Sequence, residues 1–392
     1  MRRLKTSYLL LFAITLSLGF FYTTVLSRNI LFATARLKTI DLLYLWRSGH
    51  SKPLKHLKEV VVVGVDDISY KKMNRAWPWG RDIFAVFLEN LQKLNPKVVG
   101  FDFSFVGKSS QVDSDRWLAE AISKNRNVIL ADYFDEDGRH IIPLDSIREA
   151  ARAHGFINKP LDRDAANRRV RPLIPLQNNQ GNAYSFAAHI AYAYFGLSTE
   201  DHLRLDGKQI IFSVPKDREL KTLRQIRVPV DSKYQMWLSY RYKPSHITYI
   251  PFWEIIAGKV PQSAMEGKIA LVGPVSPIFH DIHVSPFGVL AGVYIHANET
   301  LAILDEDFIR ELFPEYQWLF FITLIMILTF FYYRSRFLTG LLILIGTELL
   351  IYAAALCLFQ AKNLLFEPFS AMFVSLMVYV VVMVHKSLRT II

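Results

Sequence analysis

Four long apolar segments constrain this chain more than any other feature of its sequence. Each holds roughly the 20 residues that an α-helix needs to cross the hydrocarbon layer of a membrane. They cover residues 8–26, 317–333, 337–359 and 368–384. The first could instead be a cleaved signal peptide, but its A-x-A sequence at 33–35 lies well beyond the apolar stretch. We therefore predict four transmembrane helices, the first of them an uncleaved anchor.

Basic residues beside these segments predict the orientation of the chain, because lysine and arginine accumulate in short cytoplasmic loops. If all four segments cross the membrane, one set of basic residues lies on the same side of it, which this rule makes the cytoplasmic side. They are Arg2, Arg3, Lys5, Arg334, Arg336, Lys386 and Arg389. The predicted organisation is a cytoplasmic tail with a transmembrane helix in 1–27, an extracytoplasmic domain in 28–315, three transmembrane helices in 316–386 and a cytoplasmic tail in 387–392. The expected location is a bacterial inner (cytoplasmic) membrane, with the domain periplasmic or extracellular.

Composition excludes several other classes of protein. Apolar residues make up 52% of the chain and charged residues 21%, a balance opposite to that of a disordered protein. The single cysteine, Cys357, cannot form an intramolecular disulfide. The net charge of +11 arises partly from the basic residues that flank the membrane segments, so no nucleic-acid partner is expected.

The region between the first and second apolar segments alternates between strand and helix patterns. Residues 59–65, 97–103 and 127–131 are short apolar runs, typical of strands that are buried on both faces. Residues 80–94 and 113–124 repeat apolar side chains with helical spacing. This β-α-β-α-β order predicts an α/β extracytoplasmic domain with a mainly parallel sheet. The further predicted strands are 169–176, 210–214, 236–240 and 268–272, and the further helices are 185–195 and 292–304.

Several sequence motifs follow one another in this region in a fixed order. They are VVVVGVDD at 60–67, WPWGR at 77–81, VVGFDFSF at 98–105, HDIHVSPFG at 280–288 and GVYIHANETLAIL at 292–304. In this order the chain resembles a CHASE domain of the second type, an extracellular sensing domain associated with cyclases and histidine kinases. The resemblance extends over most of the region and to the three apolar segments after it.

The resemblance implies a sensor with one N-terminal crossing, an outer domain and three C-terminal crossings. In the family a cytoplasmic output domain, such as a nucleotide cyclase or a kinase, usually follows. Only residues 385–392 follow the last apolar segment, so no catalytic output domain is expected in this chain. We therefore expect the chain to act through a separate membrane or cytoplasmic signalling protein, with a homodimer as a further candidate assembly.

Four aspartates form the first candidate ligand site. Asp66, Asp67 and Asp102 lie at or near the ends of predicted strands, and Asp281 follows a later strand. Ligands of open parallel sheets bind beyond the carboxyl ends of the strands, and clustered carboxylates could hold a divalent cation. The alternative is structural, because an aspartate after a strand often caps a helix or a turn.

Histidines around Asp281 form a candidate metal site. His280 and His283 lie beside it in the sequence, and His296 lies on the following predicted helix together with Glu299. Histidine and carboxylate ligands at this density suit zinc or another transition metal. Only the aspartate of the HDIH stretch matches the family pattern, and the sequence does not identify a cofactor.

The remaining candidate ligand residues are Trp77, Trp79, Arg81 and Asn158. The tryptophans could stack on a ligand or cover the sheet edge. Arg81 lies in the first turn of a predicted helix, where a cation opposes the helix dipole, which indicates a partner such as a strand-end aspartate. Asn158 precedes an arginine cluster that could bind an anion or form a solvated turn. The cluster consists of Arg163, Arg168, Arg169 and Arg171.

Glu348 lies at the middle of the 337–359 segment, where an ionisable side chain is costly and normally faces other helices or water. Its candidate partners are Thr323, Tyr352 and Ser375. It could pack as a protonated hydrogen-bonding residue, contact a partner protein and so couple the membrane helices to it, or take part in proton-coupled transport, in that order of preference.

These patterns together predict a membrane-bound extracytoplasmic sensor. It would detect a ligand or an envelope signal and pass it through its transmembrane helices to a separate partner. Two alternatives stay open. One is an extracytoplasmic metal-dependent enzyme that uses Asp66, Asp102 and Asp281, and the other is a structural envelope protein that does not switch.

Overall fold

The computed structural model describes residues 2–176, 181–216, 222–312 and 314–391. The chain divides into two compact units. Ser51–Phe308 form the α/β unit, and Met1–His50 together with Ile309–Ile392 form the helical unit.

Helices and strands follow one another along the described chain. The helices are α1 (Arg2–Thr24), α2 (Ile30–His50), α3 (Asp67–Met73), α4 (Arg81–Gln92), α5 (Val112–Lys124), α6 (Asp145–Ala150), α7 (Phe186–Phe195), α8 (Thr199–His202), α9 (Phe252–Ile256), α10 (Gly292–Leu304), α11 (Pro314–Arg334), α12 (Phe337–Lys362) and α13 (Pro368–Ile391). The strands are β1 (Val60–Val65), β2 (Val98–Phe101), β3 (Val128–Phe134), β4 (His140–Ile141), β5 (Ala153–Phe156), β6 (Arg169–Val170), β7 (Leu173–Pro175), β8 (Asn182–Tyr184), β9 (Leu203–Asp206), β10 (Gln209–Pro215), β11 (Leu223–Pro229), β12 (Met236–Trp237), β13 (Thr248–Pro251), β14 (Ile269–Pro274), β15 (Ile282–Ser285), β16 (Gly288–Ala291), β17 (Arg310–Glu311) and β18 (Leu364–Leu365).

A seven-stranded sheet forms the centre of the α/β unit. Its strand order is β13-β1-β14-β2-β3-β4, and β5 also pairs with β3. All of these pairs are parallel except that of β3 with β4. Strands β1, β2 and β14 are buried along their whole length, because helices cover both faces of the sheet. The predicted α/β fold with a mainly parallel sheet is therefore confirmed.

Strand β14 lies between β1 and β2, so the two strands of the first predicted β-α-β unit are not neighbours. Val60 of β1 is opposite Ile269 of β14, and Val98 of β2 is opposite the same residue on the other side. This insertion brings a late segment of the chain, including Gly273, to the carboxyl ends of both early strands.

Each face of the sheet has its own helices. On one face the predicted apolar stripe of α4 is buried, and its Phe87 stacks on Phe252 of α9 with ring centroids 4.2 Å apart. Helices α7 and α10 pack on the other face, and every residue of α10 is buried. Helix α7 begins after Ser185, whose Oγ accepts a hydrogen bond from the Ala188 N–H at 3.2 Å and caps the helix.

The middle of the α/β unit differs from the sequence prediction. The strand predicted at 169–176 is divided into β6 and β7 around Pro172, and the strand predicted at 236–240 is shortened to β12. Strand β10 lies in a separate antiparallel sheet of order β11-β10-β9. Strands β5 and β13 were not predicted, because each is short and pairs with a strand elsewhere in the chain. The hairpin β15–β16 was not predicted either, because each of its strands has only four residues.

The helical unit contains four helices that are long and apolar enough to cross a membrane. They are Tyr8–Arg28, Glu315–Arg334, Phe337–Lys362 and Pro368–Arg389, and each includes one of the predicted apolar segments. Two of these helices are in contact through aromatic rings, because the centroids of the Tyr22 ring of α1 and the Phe373 ring of α13 are 4.7 Å apart. The presence of four candidate membrane helices therefore agrees with the sequence, and their orientation stays a prediction.

Helix α2 was not predicted, and it belongs to the helical unit although the sequence assigned its residues to the outer domain. The Tyr44 ring lies edge-on to Phe359 of α12, with centroids 5.0 Å apart. The guanidinium group of Arg47 lies 4.9 Å from the centre of the same ring. Charged side chains interrupt the apolar positions of α2, so no continuous apolar run marks it in the sequence.

Candidate functional site

The first two strand-end aspartates have structural partners. Oδ1 of Asp66 accepts a hydrogen bond from the Ser69 N–H at 2.7 Å and caps α3. Oδ2 of Asp66 accepts another from the Tyr249 hydroxyl at 2.7 Å. Asp67 accepts a hydrogen bond from the Ser276 hydroxyl at 2.5 Å. Both residues therefore follow the structural alternative, in which an aspartate after a strand caps a helix and closes a turn.

Asp102 is placed differently, because it faces α10 in the interior of the α/β unit. It directly follows β2 and lies beside Gly273 of β14. A Cβ atom at Gly273 would lie 3.0 Å from Cβ of Val293 and 3.1 Å from Cβ of Asp102. Glycine is therefore needed at this position for α10 to approach the sheet so closely.

Asp102 and His296 form the centre of the site. Oδ1 of Asp102 lies 3.9 Å from Nε2 of His296, which is too far for a hydrogen bond, and each side chain is 3% exposed. Among the described residues, Oδ2 of Asp102 and both ring nitrogens of His296 have no hydrogen-bond partner. Buried polar atoms without partners are rare in folded proteins and mark a site under strain or in use.

Burial favours the uncharged form of both groups. It raises the pKa of Asp102 to about 7, and the negative charge of Asp281 adds to the effect while Lys159 opposes it. Burial also lowers the pKa of His296 well below its usual range, with further contributions from the charges of Lys159 and His283. Near neutral pH the site therefore holds a neutral imidazole beside a carboxyl group that is close to its own titration.

Glu299 extends the site along α10. Its carboxyl group accepts a hydrogen bond from the Ser185 hydroxyl at 2.7 Å, so it joins α10 to the first turn of α7. Burial raises the pKa of Glu299 to about 7, although the Ser185 bond and Lys159 lower it in part. The sequence indicated Glu299 only as a possible ligand, and Ser185 was missed, although a serine directly before a helical pattern is a recognisable capping signal.

Asp281 lies beside the first turn of α10, where its backbone carbonyl accepts a hydrogen bond from the Gly292 N–H at 3.1 Å. Its Oδ1 lies 2.9 Å from Nε2 of His283, with which it forms a hydrogen bond. Burial alone would raise the pKa of Asp281, but the His283 bond and the charges of Lys159 and His283 outweigh burial and lower it. Asp281 is thus the charged member of the site.

The four residues predicted as metal ligands do not form a ligand set. His280 is exposed and follows a short 3-10 turn, with a positive φ of 59°. Asp281 and His283 pair with each other, and His296 lies in the interior beside Asp102. Within the described chain, no three of these side chains place their ligand atoms within 4.8 Å of one another.

The WPWGR motif builds the core rather than a ligand surface. Trp77 lies 4.6 Å from Phe279, and Trp79 lies 5.4 Å from Phe252, between ring centroids. This packing matches the structural alternative for both tryptophans.

Arg81 pairs with Asp115 at the start of α5, not with a strand-end aspartate as the sequence had indicated. Nη1 of Arg81 donates to the Asp115 carboxylate at 2.5 Å, and Nη2 donates to the carbonyl groups of Val106 and Gly107. The ion pair is buried, with both side chains less than a tenth exposed. Its partner could not be predicted because Asp115 is one of several acidic residues in its segment.

Asn158 and the arginine cluster also have internal partners. The Asn158 amide accepts from the Phe134 N–H at 2.7 Å and donates to the Phe134 carbonyl at 2.8 Å, as a further strand residue would.

Arg168 is fully buried and its Nη1 donates to Asp162 at 3.1 Å and to Asp164 at 2.8 Å. Arg168 therefore lies in the interior, while Arg163 of the same cluster is exposed.

Two cavities of the α/β unit lie away from the predicted ligand residues. A cavity of about 620 Å³ is lined by residues that include His56, Lys97 and Arg224, and one of about 560 Å³ includes Lys108 and Asp115. None of the predicted ligand residues lines either cavity.

Glu348 lies on α12 within the helical unit, partly buried. Its carboxyl group lies beside Ser375 of α13, one of the three predicted partners, and interacts electrostatically with Tyr332 of α11. Oε1 of Glu348, the Ser375 hydroxyl and the Tyr332 hydroxyl are buried and meet no hydrogen-bond geometry with any described residue. Thr323, another predicted partner, donates to Leu319 of its own helix instead.

Comparison with known proteins identifies the family. The model of the CHASE2 domain matches residues 11–331, which include most of α1, the whole α/β unit and most of α11. This match confirms the resemblance that the order of the motifs had indicated. No curated protein and no solved structure matches the chain.

Proposed function

Because the chain belongs to the CHASE2 domain family, whose members are sensory domains of signalling proteins, we propose that it is a membrane-bound sensor. Residues 28–315 would lie outside the inner membrane and both termini in the cytoplasm, as the basic residues beside the apolar segments indicate. The family match carries this proposal, since it runs through the α/β unit and into the flanking membrane helices.

The buried site on α10 supplies the switching element in this proposal. Leaving a buried polar group without a hydrogen bond costs roughly 1–3 kcal/mol, and Asp102 and His296 both contain such groups. A second arrangement that satisfies these atoms would therefore lie close in free energy to the first. A signal that binds one arrangement more tightly shifts the balance between them.

The chain itself provides the route from this site to the membrane helices. Helix α10 carries His296 and Glu299 and ends at Leu304, and residues 305–313 connect it to α11. A small displacement of α10 would therefore pull on the first of the three C-terminal helices. Transitions of this kind, by shifts of one to two ångströms between packed helices, are common in signalling proteins.

A separate protein would carry the output. Glu348 is the proposed contact or coupling residue in the membrane, because a carboxyl group at that depth favours a polar partner.

Cross-linking in native membranes tests this proposal. The wild-type chain would be cross-linked, purified by affinity and its bound proteins identified by mass spectrometry, beside Glu348→Ala and the matched exposed control Glu315→Ala. We expect one kinase or cyclase to be enriched with the wild type and Glu315→Ala, and at least about threefold less with Glu348→Ala. Equal recovery with all three chains, or catalysis of nucleotide turnover by the purified chain alone, would contradict it.

A further inference from the structure

We propose that Asp132, His140 and His154 bind one transition-metal ion of the zinc class in the α/β unit. This site is separate from the one on α10, and the inference does not depend on the proposed signalling function. None of the three residues was a candidate in the sequence, where they are spread over three strands.

The strand register alone places the three side chains on one face of the sheet. His154 of β5 is opposite Leu130 of β3, and His140 of β4 is opposite Phe134 of β3. Asp132 lies two residues from each of these β3 positions. Because side chains two residues apart point to the same face, all three converge at the end of β3.

The ligand atoms already lie within reach of a single ion. One atom from each residue lies within 4.8 Å of the other two. Oδ1 of Asp132 lies 2.9 Å from Nε2 of His140, and Oδ2 of Asp132 contacts Nδ1 of His154. A tetrahedral zinc ion at about 2.0–2.2 Å from each ligand atom separates these atoms by about 3.3–3.6 Å, so the three side chains would move apart by about 1 Å or less to bind it.

The pairing of Asp132 with His140 is incomplete as a hydrogen bond. Despite the short distance, Oδ1 of Asp132 and Nε2 of His140 do not meet hydrogen-bond geometry, and both are buried atoms without another partner among the described residues. The Asp132 side chain is only 1% exposed. A buried carboxylate needs a compensating charge. A metal ion placed between Oδ1 of Asp132 and Nε2 of His140 would supply that charge and accept one lone pair from each of these atoms.

The chemistry of the set favours zinc over calcium or magnesium. Two imidazoles and one carboxylate are the protein ligands of many zinc sites that keep a fourth position for water, whereas calcium and magnesium prefer oxygen ligands alone. The His140 and His154 side chains are 24% and 28% exposed, so the site lies near the surface of the α/β unit although Nε2 of His140 itself is buried. The surrounding contacts fix one ligand, because the Phe134 ring stacks on His140 with centroids 4.4 Å apart.

Metal titration of the purified full chain in nanodiscs tests the site. After removal of metal with EDTA, Zn²⁺ binding is measured by calorimetry, and Co²⁺ binding by its visible absorption. The variants are His140→Gln and His154→Gln. The matched controls are His246→Gln, an exposed histidine of the same unit, and His283→Gln, which belongs to the site on α10. Circular dichroism establishes that each variant is folded.

We expect one ion per chain for the wild type and both controls, with the Co²⁺ spectrum of a four-coordinate site. His140→Gln and His154→Gln should each weaken binding at least about tenfold. Because His140 lies in a short surface hairpin, its replacement should leave the fold intact. The proposal is overturned if the wild type shows no saturable binding, if both ligand variants bind as the wild type does, or if His283→Gln alone abolishes binding.

Discussion

Oδ1 of Asp102 and Nε2 of His296 lie 3.9 Å apart in the interior of the α/β unit, buried together without a hydrogen bond between them. The strand-end position of Asp102 and the α10 position of His296 make this pair a direct link between the sheet and the helix that leads towards α11. The pair is stable as a neutral acid beside a neutral base, so its free energy depends on pH.

Replacing Asp102 by asparagine should remove part of this pH dependence. The pKa of Asp102 is raised to about 7 in the folded chain, so its contribution to stability is fully present below its unfolded pKa and is lost as the pH rises through 7. At pH 8 the wild type contains a buried charge that Asp102→Asn lacks. We expect Asp102→Asn to unfold at a higher temperature than the wild type at pH 8, and the difference between the two to shrink as the pH is lowered towards 4.

His296 also makes the stability of the folded chain depend on pH, but in the direction opposite to that of Asp102. It therefore affects the same measurement. Its pKa is lowered by burial, so the neutral form is favoured and stability is lost as the pH falls below its usual value. Comparing Asp102→Asn with the wild type at each pH removes the part of this contribution that does not depend on Asp102. Asp206→Asn, an exposed carboxyl group, serves as the control and should not alter the profile. A lower unfolding temperature for Asp102→Asn at pH 8 would refute the prediction.

Ser185→Ala should be strongly destabilising, because it removes two hydrogen bonds at once. The Ser185 hydroxyl caps α7 and donates to the buried Glu299. The variant loses the helix cap and the only described partner of the Glu299 carboxyl oxygen. We expect the free energy of unfolding, measured by chemical denaturation, to fall by about 2 kcal/mol or more.

Ser198→Ala provides the matched control for Ser185→Ala. Ser198 caps α8 and donates to Glu200 at 2.8 Å, but this bond is exposed to solvent. The expected loss is about 1 kcal/mol or less. If the two alanine variants lose equal stability, burial of Glu299 has no influence on the strength of its bond to Ser185.

Much of the sheet and its helices follows from local sequence patterns. Strand β1 and helices α4 and α10 were predicted within one or two residues, since their apolar residues keep one period over a sufficient length. The position of β14 between β1 and β2 could not be predicted in this way. It depends on pairing between segments about 170 to 210 residues apart, which no local pattern encodes.

The buried ion pair of Arg81 should be essential for stability. Asp115→Asn leaves the Arg81 guanidinium buried without its carboxylate, and loss of one partner of a buried pair costs about 3–5 kcal/mol. Asp113→Asn breaks the exposed pair with Arg116 on the same helix and should cost less than about 1 kcal/mol. Urea unfolding of the two variants measures both values, and a similar small loss for both would contradict this assignment.

The candidate sites show the same limit of sequence-based prediction. Asp102 was identified because it directly follows a recognisable strand, which a local pattern reveals. Asp132, His140 and His154 were missed, because they converge only through the pairing of β3 with β4 and β5, and β4 contains just two residues. Residues that meet across strands carry no spacing signal along the chain.

Coupling between the site on α10 and the membrane helices is the central claim, and disulfide cross-linking in native membranes tests it directly. Cysteines would replace Phe20 of α1 and Trp318 of α11, whose ring centroids lie 6.0 Å apart, in a chain with Cys357→Ser. The rate of cross-linking would be compared with and without Asp102→Asn. We predict different rates at pH 8, where only the wild type carries the buried charge, and converging rates at pH 5. Equal rates at both pH values would contradict the account.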